Sequence, residues 1–338
     1  MDKLNVLIAG ATGYIGTQLV KLLCKHKNVK IKYLCGNTSV GKNISYYDNG
    51  LKKYKLPKII KINYKLFKDV DVIFTSLPNG ESQKIANKLL KKNIMIDLSA
   101  DFRLTNAKIY NKYYGIKHIS LNNLKKSIYG LPEISKKNLS KAKVIACPGC
   151  YPTSILLPLF PLIKKNLIDF KNIIIDLKSG FSGAGRGVHK KFKNKNLYGS
   201  TSAYGIASHR HNAEIQQELS FLKKNIEFTF TPHILPMFRG ILSTIYLNYQ
   251  SKANLNKIYN ELRRYYMKHK FIKILKNKSL STNDVINTNN CQISVCKSKD
   301  KKKLIILSSI DNLIKGGAGQ AVQNLNLIFN FKLNEGLK

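Results

Sequence analysis

Cys150 is the residue whose type and setting most directly indicate chemistry. It lies in the run Cys147-Pro-Gly-Cys150-Tyr-Pro-Thr153, between the end of an apolar strand and a stretch typical of a helix start. A helix N-terminus favours the thiolate, which is the nucleophilic form of cysteine, so we expect Cys150 to act as a nucleophile. Three other interpretations stay open: a buried inert cysteine, a C-x-x-C redox couple, or half of a zinc site with Cys291 and Cys296, whose wider spacing is unusual for structural zinc.

A second cluster gathers acid–base and charged groups in one short run, His209-Arg-His211-Asn-Ala-Glu214. Two imidazoles beside a cation and a carboxylate suit proton transfer next to a nucleophile. The fold must bring this run to Cys150 if the two are to work together. A structural hydrogen bond remains the alternative for each histidine, and an H-x-H metal site lacks an evident third ligand.

Arginine usage points to anion binding. Only six of the 58 basic residues are Arg, yet four of them lie in polar or glycine-rich runs: Arg103 in 99–103, Arg186 in 179–186, Arg210 in 209–214 and Arg239 in 232–240. The guanidinium group binds phosphate and carboxylate through two parallel hydrogen bonds. We therefore expect these arginines to bind anions rather than to form a solvated surface.

The glycine-rich run Gly10-Ala-Thr-Gly13-Tyr-Ile-Gly16 indicates a nucleotide-binding turn, because it lies between a predicted strand and a predicted helix. In this interpretation Gly10 permits the tight turn, Gly13 lets the backbone approach a pyrophosphate, and Gly16 lets the helix touch the sheet. The helix N-terminus adds unpaired N–H groups. The spacing is G-x-x-G-x-x-G rather than G-x-G-x-x-G, and a tight turn without a ligand is the alternative.

The second predicted strand ends without the carboxylate that would bind a ribose 2′-hydroxyl. Its last residues read Cys35-Gly-Asn-Thr-Ser39, and Lys42 follows. A polar loop with a lysine accommodates a 2′-phosphate. Ser39 and Lys42 therefore predict a preference for NADP(H) over NAD(H).

The order of predicted elements places these residues in two domains. Residues 1–149 alternate strands and helices as in a Rossmann-type doubly wound parallel α/β sheet, with strands predicted at 4–9, 30–35, 70–76, 94–98 and 144–146. Residues 150–311 predict a second, α+β domain with a mostly antiparallel sheet, from strand-like runs at 173–178, 226–231, 241–249, 292–295 and 304–308.

Two helices bear on the ends of these domains. A helix directly after Gly316 and Gly317, within 312–338, is expected to complete the dinucleotide-binding domain. The helix that begins near Cys150 is expected to be interrupted or limited by Pro158 and Pro161, because proline lacks the N–H that a helix interior needs.

Composition excludes several classes of protein. With 338 residues, 43% hydrophobic and 22% charged, the chain suits two globular domains rather than disorder or a disulfide scaffold. No apolar run is long enough for a membrane span or a secretory signal, so we expect a cytoplasmic protein without a membrane partner. The net charge of +40 comes mostly from scattered Lys. We expect solvated surface charge and no specific nucleic acid, with a polyanion-binding protein as the alternative.

Taken together, the motifs resemble the N-acetyl-gamma-glutamyl-phosphate reductases of arginine biosynthesis, relatives of the aspartate-semialdehyde dehydrogenases. The resemblance spans nearly the whole chain. Besides the runs already described, it rests on 76–80, 97–103, 129–133 and 315–323. Aspartate-semialdehyde dehydrogenase, which shares the fold and the thiol mechanism, is the alternative activity.

The resemblance implies an NADPH-dependent oxidoreductase that reduces N-acetylglutamyl 5-phosphate to the 5-semialdehyde through a thioester on Cys150 and releases phosphate. It implies His209 as the acid–base partner and a homo-oligomer, either a dimer or a tetramer. The expected substrate-binding residues are Arg103, Arg186, Tyr204, His211 and Glu214. The expected cofactor-binding residues, besides the three glycines, Ser39 and Lys42, are Thr12, Tyr14, Ile15, Gly317 and Gln320. No metal is expected.

Some residues depart from the pattern of the family. Cys147 stands where Asn is usual, and Ser154 stands where Gly or Ala is usual. The first departure suggests the hypothesis that Cys147 and Cys150 pair under oxidation and silence the enzyme. The usual arginine after the second strand is replaced by Asn37 or Thr38, which leaves 2′-phosphate recognition to Ser39 and Lys42.

Overall fold

The computed structural model describes residues 2–135, 139–186, 199–251 and 253–337, and it divides the chain into two units. Unit 1 comprises Met1–Pro148 and Gly317–Lys338, and unit 2 comprises Gly149–Gly316. The chain therefore enters unit 2 one residue before Cys150. Relative to the bounds expected from the sequence, Gly149 and residues 312–316 lie in unit 2.

Unit 1 is built on a parallel sheet. Among the described residues its strands are β1 Leu4–Ala9, β2 Val29–Cys35, β3 Ile59–Ile60, β4 Val72–Thr75, β5 Ile94–Asp97, β6 Ile128–Tyr129 and β7 Val144–Ala146, in the order β3-β2-β1-β4-β5-β7-β6. Every pair of neighbouring strands is parallel. Strand β4 is buried along its length and apolar except for Thr75, as expected where both faces of a sheet are covered.

Helices cover this sheet and the second one. In the described residues they are α1 Tyr14–Leu23, α2 Glu81–Ala86, α3 Ala107–Tyr114, α4 Leu121–Lys126, α5 Pro132–Ser135, α6 Cys150–Lys164, α7 His211–Ser220, α8 Leu255–Tyr266 and α9 Gly319–Ile328. Helix α9 belongs to unit 1, where Asn324 Nδ2 donates to the Gly130 carbonyl at 2.8 Å. Across the described part of the chain, no helix combines the length and apolarity needed to cross a membrane.

Unit 2 is built on a mixed sheet in which antiparallel pairs predominate. Its described strands are β8 Ile173–Gly180, β9 Ser202–Ala203, β10 Phe228–Leu235, β11 Ile241–Asn248, β12 Ile272–Lys276, β13 Cys291–Lys297 and β14 Lys303–Ile310, in the order β12-β13-β14-β11-β8-β10-β9. Only the β8–β10 and β12–β13 pairs of these strands are parallel. Helices α6 and α8 pack on this sheet. The predicted fold class is confirmed by the two sheets together.

Four strands escape the sequence analysis. Strands β3, β6 and β9 have two residues each, which is too short for a periodicity to register. Strand β12, Ile272–Lys276, pairs in parallel with β13 at one edge of the sheet of unit 2. These strands extend the two sheets and leave the fold class unchanged.

The last helix begins where it is predicted, just after the glycine pair, since α9 starts at Gly319 with Ala318 as its N-cap. A π-helical turn that the sequence does not indicate, Ile314–Ala318, precedes it and runs through the two glycines. The cause is Asp311, whose Oδ1 accepts hydrogen bonds from the amides of Leu313 (2.8 Å) and Ile314 (3.1 Å). A side chain that satisfies these amides allows helical geometry to begin before the glycines.

The predicted break at Pro158 and Pro161 is wrong, because α6 is continuous from Cys150 to Lys164. Twelve of its residues are buried, so packing supports the helix despite the prolines. Pro161 cannot donate to the carbonyl of Leu157, four residues before it. The hydroxyl of Tyr266, on α8, donates to that carbonyl at 2.5 Å and replaces the missing donor.

Replacing Tyr266 with Phe therefore leaves the Leu157 carbonyl buried without a donor. We expect Tyr266→Phe to lower the free energy of unfolding by about 1–3 kcal/mol. Urea denaturation followed by circular dichroism measures the change. Tyr265→Phe is the matched control, since the Tyr265 ring contacts Phe160, and it should cost less than about 0.5 kcal/mol. Equal losses in the two variants would contradict this account of α6.

Candidate active site

A cleft of about 540 Å³ opens in unit 1 at the carboxyl ends of β1, β2 and β4. Its lining includes Gly10, Thr12 and Gly13 from the glycine-rich turn, together with residues 35–38 and 76–79. The crossovers reverse direction at β1, and doubly wound sheets bind nucleotides at such a switch point. Residues 76–79 are absent from the predicted cofactor contacts, although their place directly after a predicted strand could have indicated them.

The three glycines of the turn are required for different reasons. Gly10 has φ +84°, and a Cβ on it would lie 2.1 Å from the Ser76 carbonyl oxygen. A Cβ on Gly16 would lie 2.1 Å from the Gly10 carbonyl oxygen. Gly13 has φ −68° and ψ 166°, and a Cβ on it would meet nothing nearer than 3.6 Å. Packing within the protein therefore requires glycine at 10 and 16, whereas at 13 only an external group would require it.

No side chain caps the N-terminus of α1, and its first turn holds no acidic residue. The amide of Thr17 makes the first helical hydrogen bond, to the Gly13 carbonyl at 2.8 Å, so the amides of Ile15 and Gly16 have no acceptor within the helix. Together with the cleft, this arrangement fits the pyrophosphate of a dinucleotide.

Ser39 and Lys42 do not line this cleft. Ser39 is buried, and its hydroxyl is hydrogen-bonded to the hydroxyl of Tyr47. Lys42 is exposed, with Nζ 4.6 Å from the centroid of the Tyr46 ring. Asn37 and Thr38 line the cleft in the place where the sequence analysis expected Ser39 and Lys42.

Arg103 contacts the main chain of unit 1. Its side chain is largely buried, with Nε donating to the carbonyl of Cys147 and Nη2 donating to the carbonyl of Leu98, both at 2.9 Å. The amide of Cys147 donates to the carbonyl of Asp97 at 2.7 Å. Arg103 thus fixes the segment that leads out of β7 toward Pro148.

The expected cofactor contacts near the C-terminus also lie in unit 1. Gly317 is part of the π-helical turn, and Gln320 is fully buried in the first turn of α9. Neither residue belongs to the lining of the cleft described above.

Cys150 is the first residue of α6, in unit 2. Its N-cap, Gly149, has extended backbone angles and provides no side chain, and the first turn of α6 holds no acidic residue. The Cys150 side chain is partly exposed. The thiol therefore lies at the positive end of a long buried helix, the setting that favours a thiolate.

The rings of Tyr151, Tyr204, His209, His211 and Phe230 form a cluster next to Cys150. The ring of Tyr151 lies 5.3 Å from that of His209, 5.3 Å from that of His211 and 5.8 Å from that of Phe230. Its hydroxyl is hydrogen-bonded to the hydroxyl of Tyr204, and burial raises the pKa of both phenols. The structure thus brings the predicted residues 204, 209 and 211 to the residue that follows Cys150.

His209 is held neutral and in one tautomer. Burial and, next, the nearby Arg210 cation lower the pKa of its imidazole to about 4. Its Nδ1 accepts a hydrogen bond from the amide of His211 at 3.1 Å, so the proton of the neutral ring is on Nε2. A tight turn with Gly205 at φ +58° presents this ring.

Glu214 and His211 both contact the residue before the cysteine. Glu214 is fully buried, and its Oε1 accepts the amide hydrogen of Gly149 at 2.8 Å. The ring of His211 packs so closely that a Cβ on Gly149 would lie 2.5 Å from Nε2. The predicted substrate residues at the start of α7 therefore pack against the start of α6.

Gly316 is a site residue that the sequence analysis missed. A Cβ on it would lie 2.6 Å from the Cβ of Cys150, so only glycine fits. The Gly316 amide donates to the Asp311 carbonyl at 2.9 Å within the π-helical turn. The doublet Gly316-Gly317 is the signal that could have revealed this contact.

Arg239 does not have the free guanidinium expected of an anion site. Its Nε lies 3.0 Å from Oδ2 of Asp311, and its Nη2 donates to Oδ1 at 3.1 Å. Asp311 is fully buried. The expectation that Arg239 binds an anion from solution is therefore wrong. Its guanidinium is paired with the buried Asp311 carboxylate, which needs a cationic partner. Arg186 is half-buried and Arg210 is exposed.

Cys147 is poorly suited to form a disulfide. It is fully buried, and burial raises the pKa of its thiol to about 12. Disulfide exchange needs a thiolate, which this environment disfavours.

Cys291 is also buried, and its Sγ lies 3.7 Å from the hydroxyl oxygen of Ser308. The described residues contain no group of three side chains that could hold a metal. The hydroxyl of Ser154 lies 2.8 Å from that of Ser243 inside unit 2.

Two family models match the chain. One, described as the semialdehyde dehydrogenase NAD binding domain, matches residues 5–142, and the other, the semialdehyde dehydrogenase dimerisation domain, matches residues 150–312. The first model indicates a nicotinamide cofactor for the cleft of unit 1.

Curated relatives match over nearly the whole chain, and all three described next are named N-acetyl-gamma-glutamyl-phosphate reductase. The protein of Desulforamulus reducens is 41% identical, covering 96% of this chain and 95% of the relative. That of Ehrlichia canis is 40% identical, covering 98% and 96%. That of Campylobacter jejuni subsp. doylei is 43% identical, covering 99% and 98%.

Solved structures show the same fold at low identity. Aspartate semialdehyde dehydrogenase II of Vibrio cholerae superposes with a TM-score of 0.73 at 15% identity, covering 98% of this chain and 99% of that one. The Candida albicans enzyme with NADP gives 0.69 at 14% identity, covering 97% and 99%. At 14–15% identity these structures show the fold alone. The curated relatives, at 40–43% identity, support the reductase function and not the aspartate-semialdehyde alternative.

The glycine geometry predicts opposite outcomes for two similar substitutions. Gly13→Ala should change the unfolding free energy by less than about 1 kcal/mol, since its backbone angles suit alanine. It should weaken dinucleotide binding at least about tenfold, because a methyl group would block the approach of the pyrophosphate. Gly16→Ala should instead destabilise the fold by several kcal/mol or more, through the 2.1 Å clash. Thermal unfolding and calorimetric titration with NADP separate the two effects. Unchanged dinucleotide affinity in a folded Gly13→Ala protein would contradict the assignment of the turn.

Proposed function

The chain belongs to the N-acetyl-gamma-glutamyl-phosphate reductases, within the semialdehyde dehydrogenase family, and we propose that it reduces N-acetyl-L-glutamyl 5-phosphate to N-acetyl-L-glutamate 5-semialdehyde with release of phosphate. The observation that carries this proposal is the setting of Cys150 at the uncapped start of α6, with His209 packed on the adjacent Tyr151. In this proposal the thiol is the nucleophile and the imidazole is its acid–base partner.

The Cys150 thiolate attacks the 5-carbonyl carbon, so a carbon–sulfur bond forms and an oxyanion develops. Collapse of the oxyanion breaks the carbon–oxygen bond to phosphate and leaves a thioester. The neutral His209 holds a proton at Nε2, from which it donates a hydrogen bond to developing negative charge and relays the proton that the departing phosphate takes from solvent. Backbone amides at the start of α6 stabilise the oxyanion.

The dinucleotide, when bound, supplies the hydride that reduces the thioester carbonyl. The glycine-rich turn would hold its pyrophosphate, at Gly13 and the amide of Ile15. The resulting hemithioacetal on Cys150 collapses, the carbon–sulfur bond breaks, and the semialdehyde leaves with the thiolate restored. In total one acyl phosphate, one hydride and one proton give one aldehyde and one phosphate.

The reverse reaction tests this assignment. We expect reduction of NADP by N-acetylglutamate semialdehyde only when phosphate is present, and a loss of kcat of at least about a thousandfold in Cys150→Ser, since a hydroxyl at this site lacks the nucleophilicity of a thiolate. Cys296→Ser, which alters a partly exposed thiol on β13, is the control and should retain activity. Faster turnover of aspartate semialdehyde, or retention on RNA without any turnover, would favour the alternative functions.

We propose NADP(H) rather than NAD(H) as the cofactor. The support is the absence of a carboxylate in residues 35–38, which line the cleft after β2, where an acidic side chain would repel a 2′-phosphate. Asn37 and Thr38 lie on this lining, so the proposal now rests on them rather than on Ser39 and Lys42.

Asn37→Asp should therefore lower the ratio of kcat/KM for NADP to kcat/KM for NAD by at least about tenfold. The new carboxylate repels the 2′-phosphate of NADP and accepts a hydrogen bond from the 2′-hydroxyl of NAD. Steady-state kinetics with the two cofactors measures the ratio. Lys42→Ala is the control and should leave the ratio within about twofold. A larger effect at Lys42 than at Asn37 would restore the original expectation.

We propose that the exposed face of the sheet of unit 2 binds a second copy of the chain. Helices α6 and α8 pack on the sheet, where Ile173, Ile175 and Leu177 of β8 are buried. On β8 and β11, the paired residues Ile174 and Tyr246 are 49% and 39% exposed. Apolar residues on an exposed sheet face suit a self-association surface, in agreement with the dimerisation domain that matches this unit.

A charge at the centre of this face should break the oligomer. We expect Tyr246→Lys to shift the protein from dimer or tetramer to monomer in light scattering at micromolar concentration, because a buried unpaired lysine is strongly unfavourable in an interface. Phe221→Lys is the control, since Phe221 is 66% exposed and directly follows α7. Unchanged mass for Tyr246→Lys would place the interface elsewhere.

A further inference from the structure

The polar run 99–103 of unit 1 contains a carboxylate that the proposed mechanism does not use. Asp101 has no solvent exposure. Its carboxylate accepts the amide hydrogen of Gly80, at 2.8 Å from Oδ1 and 3.0 Å from Oδ2, and that of Ser82, at 3.0 Å from Oδ2. The hydroxyl of Tyr110 donates to Oδ1 at 2.6 Å. The carboxylate is thus bonded to the main chain at the start of α2, where the N-cap Gly80 provides no side chain of its own.

The residues just before α2 form one wall of the cleft of unit 1. Residues 76–79, here called the wall segment, all belong to its lining. The wall segment packs directly on the glycine-rich turn, since a Cβ on Gly10 would lie 2.1 Å from the Ser76 carbonyl oxygen and 3.3 Å from Cδ2 of Leu77. The amide of Ser76 donates to the Ala9 carbonyl at 2.9 Å. The position of the wall segment therefore sets the space beside the turn.

A second residue of the same run holds the middle of the wall segment. Ser99 is buried, and its Oγ accepts hydrogen bonds from the amide of Leu77 and from the hydroxyl of Ser82, both at 2.9 Å. The amide of Ser99 donates to Oδ1 of Asp97, the last residue of β5, at 2.9 Å. The chain after β5 thus holds the wall segment at Leu77 and, through Asp101, at the residue that follows it.

Asp101 is itself anchored by groups outside the cleft. Nε2 of His118 donates to the Asp101 carbonyl at 2.9 Å, while Nδ1 of the same ring accepts the amide hydrogen of Ser120 at 3.2 Å. The ring of His118 packs edge-on against that of Tyr110, with centroids 5.2 Å apart, and both residues are buried. Because hydrogen bonds are directional, a carboxylate held in this way fixes the orientation of the peptides bonded to it.

We propose that Asp101, together with Ser99, positions the dinucleotide site, by holding the wall segment where the cofactor needs it beside the glycine-rich turn. The inference rests on the proposed function, because it takes the cleft of unit 1 as the site of the dinucleotide. Asp101 is not part of the lining, so it acts through Gly80 and Ser82. A wall that is ordered before binding costs less to order during binding, so the contribution belongs to cofactor affinity rather than to kcat.

Two substitutions of Asp101 separate hydrogen bonding from charge. Asp101→Ala removes both oxygens, so the amides of Gly80 and Ser82 lose their acceptor. Asp101→Asn removes the charge and keeps one oxygen, which in the position of Oδ2 accepts from both amides while Nδ2 donates to the Tyr110 hydroxyl. Tyr110→Phe is the matched control, because it removes a donor to the same carboxylate and leaves both amide bonds in place.

The measurements are the Kd of NADP by calorimetric titration, the melting temperature, and hydrogen exchange of peptides that contain residues 77–82. We expect Asp101→Ala to weaken NADP binding at least about tenfold and to speed exchange at least about tenfold. In the phosphate-dependent assay it should raise KM for NADP, with kcat within about threefold. Asp101→Asn should stay within about threefold of the parent protein in Kd and exchange. Tyr110→Phe should lower the melting temperature and keep Kd within about twofold.

Unchanged NADP affinity in a folded Asp101→Ala protein overturns the proposal. An equal loss of affinity in Tyr110→Phe also overturns it, since the effect would then follow general stability. So does a loss in Asp101→Asn as large as that in Asp101→Ala, because charge rather than hydrogen bonding would then act on the cofactor.

If Asp101→Ala does not fold, Ser99→Ala decides, since it removes the acceptor of the Leu77 amide. A loss of NADP affinity of at least about threefold in this variant supports the proposal, and an unchanged affinity overturns it. Binding of NADP needs no semialdehyde. A parent protein that binds NADP without turnover would therefore refute the proposed reduction, while the same variants still test the wall segment.

Discussion

The hydrogen bond from the Gly149 amide to the buried carboxylate of Glu214 holds the residue that precedes Cys150 at the start of α6. A nucleophile at the N-terminus of a helix benefits from the dipole and from amides without helical partners, but only if the terminus is held and not capped by a side chain. Glu214 holds the terminus, and glycine at position 149 leaves it uncapped. The glycine provides no capping side chain, and it leaves room for the His211 ring.

A second set of contacts involves the last residues of the unit 2 segment, which ends at Gly316 and contacts Cys150 there. The buried ion pair of Arg239 with Asp311 anchors the π-helical turn, and that turn carries Gly316 against Cys150. Removing one partner of a buried ion pair is strongly destabilising, because the other charge is then buried without compensation. An arginine that the sequence suggests as an anion ligand thus binds an aspartate of the same chain instead.

Unit 1 shows the same division between what packing requires and what a ligand requires. Glycines 10 and 16 are imposed by contacts inside the turn, so they would be needed in any tight turn of this shape. Gly13 has ordinary backbone angles, and a Cβ on it would meet nothing nearer than 3.6 Å, so packing inside the protein does not require glycine there. The charge of the protein is a separate matter: the net +40 lies mostly on scattered lysines, whereas the site depends on a few buried groups.

The sequence by itself indicated the two sheets, the glycine-rich turn, the helix start at Cys150 and the histidine cluster, because apolar periodicity, glycine spacing and rare residue types are local signals. Tertiary structure alone decided four contacts. It let α6 continue through Pro161, since Tyr266 supplies the missing donor from another helix. It bound Arg239 to Asp311 and Glu214 to Gly149, and it placed Gly316 on Cys150. Each of these contacts joins residues far apart in the chain, so a single sequence shows the chemical groups but not their partners, and in a low-dielectric interior the partner decides whether a charged group binds a ligand or the protein itself.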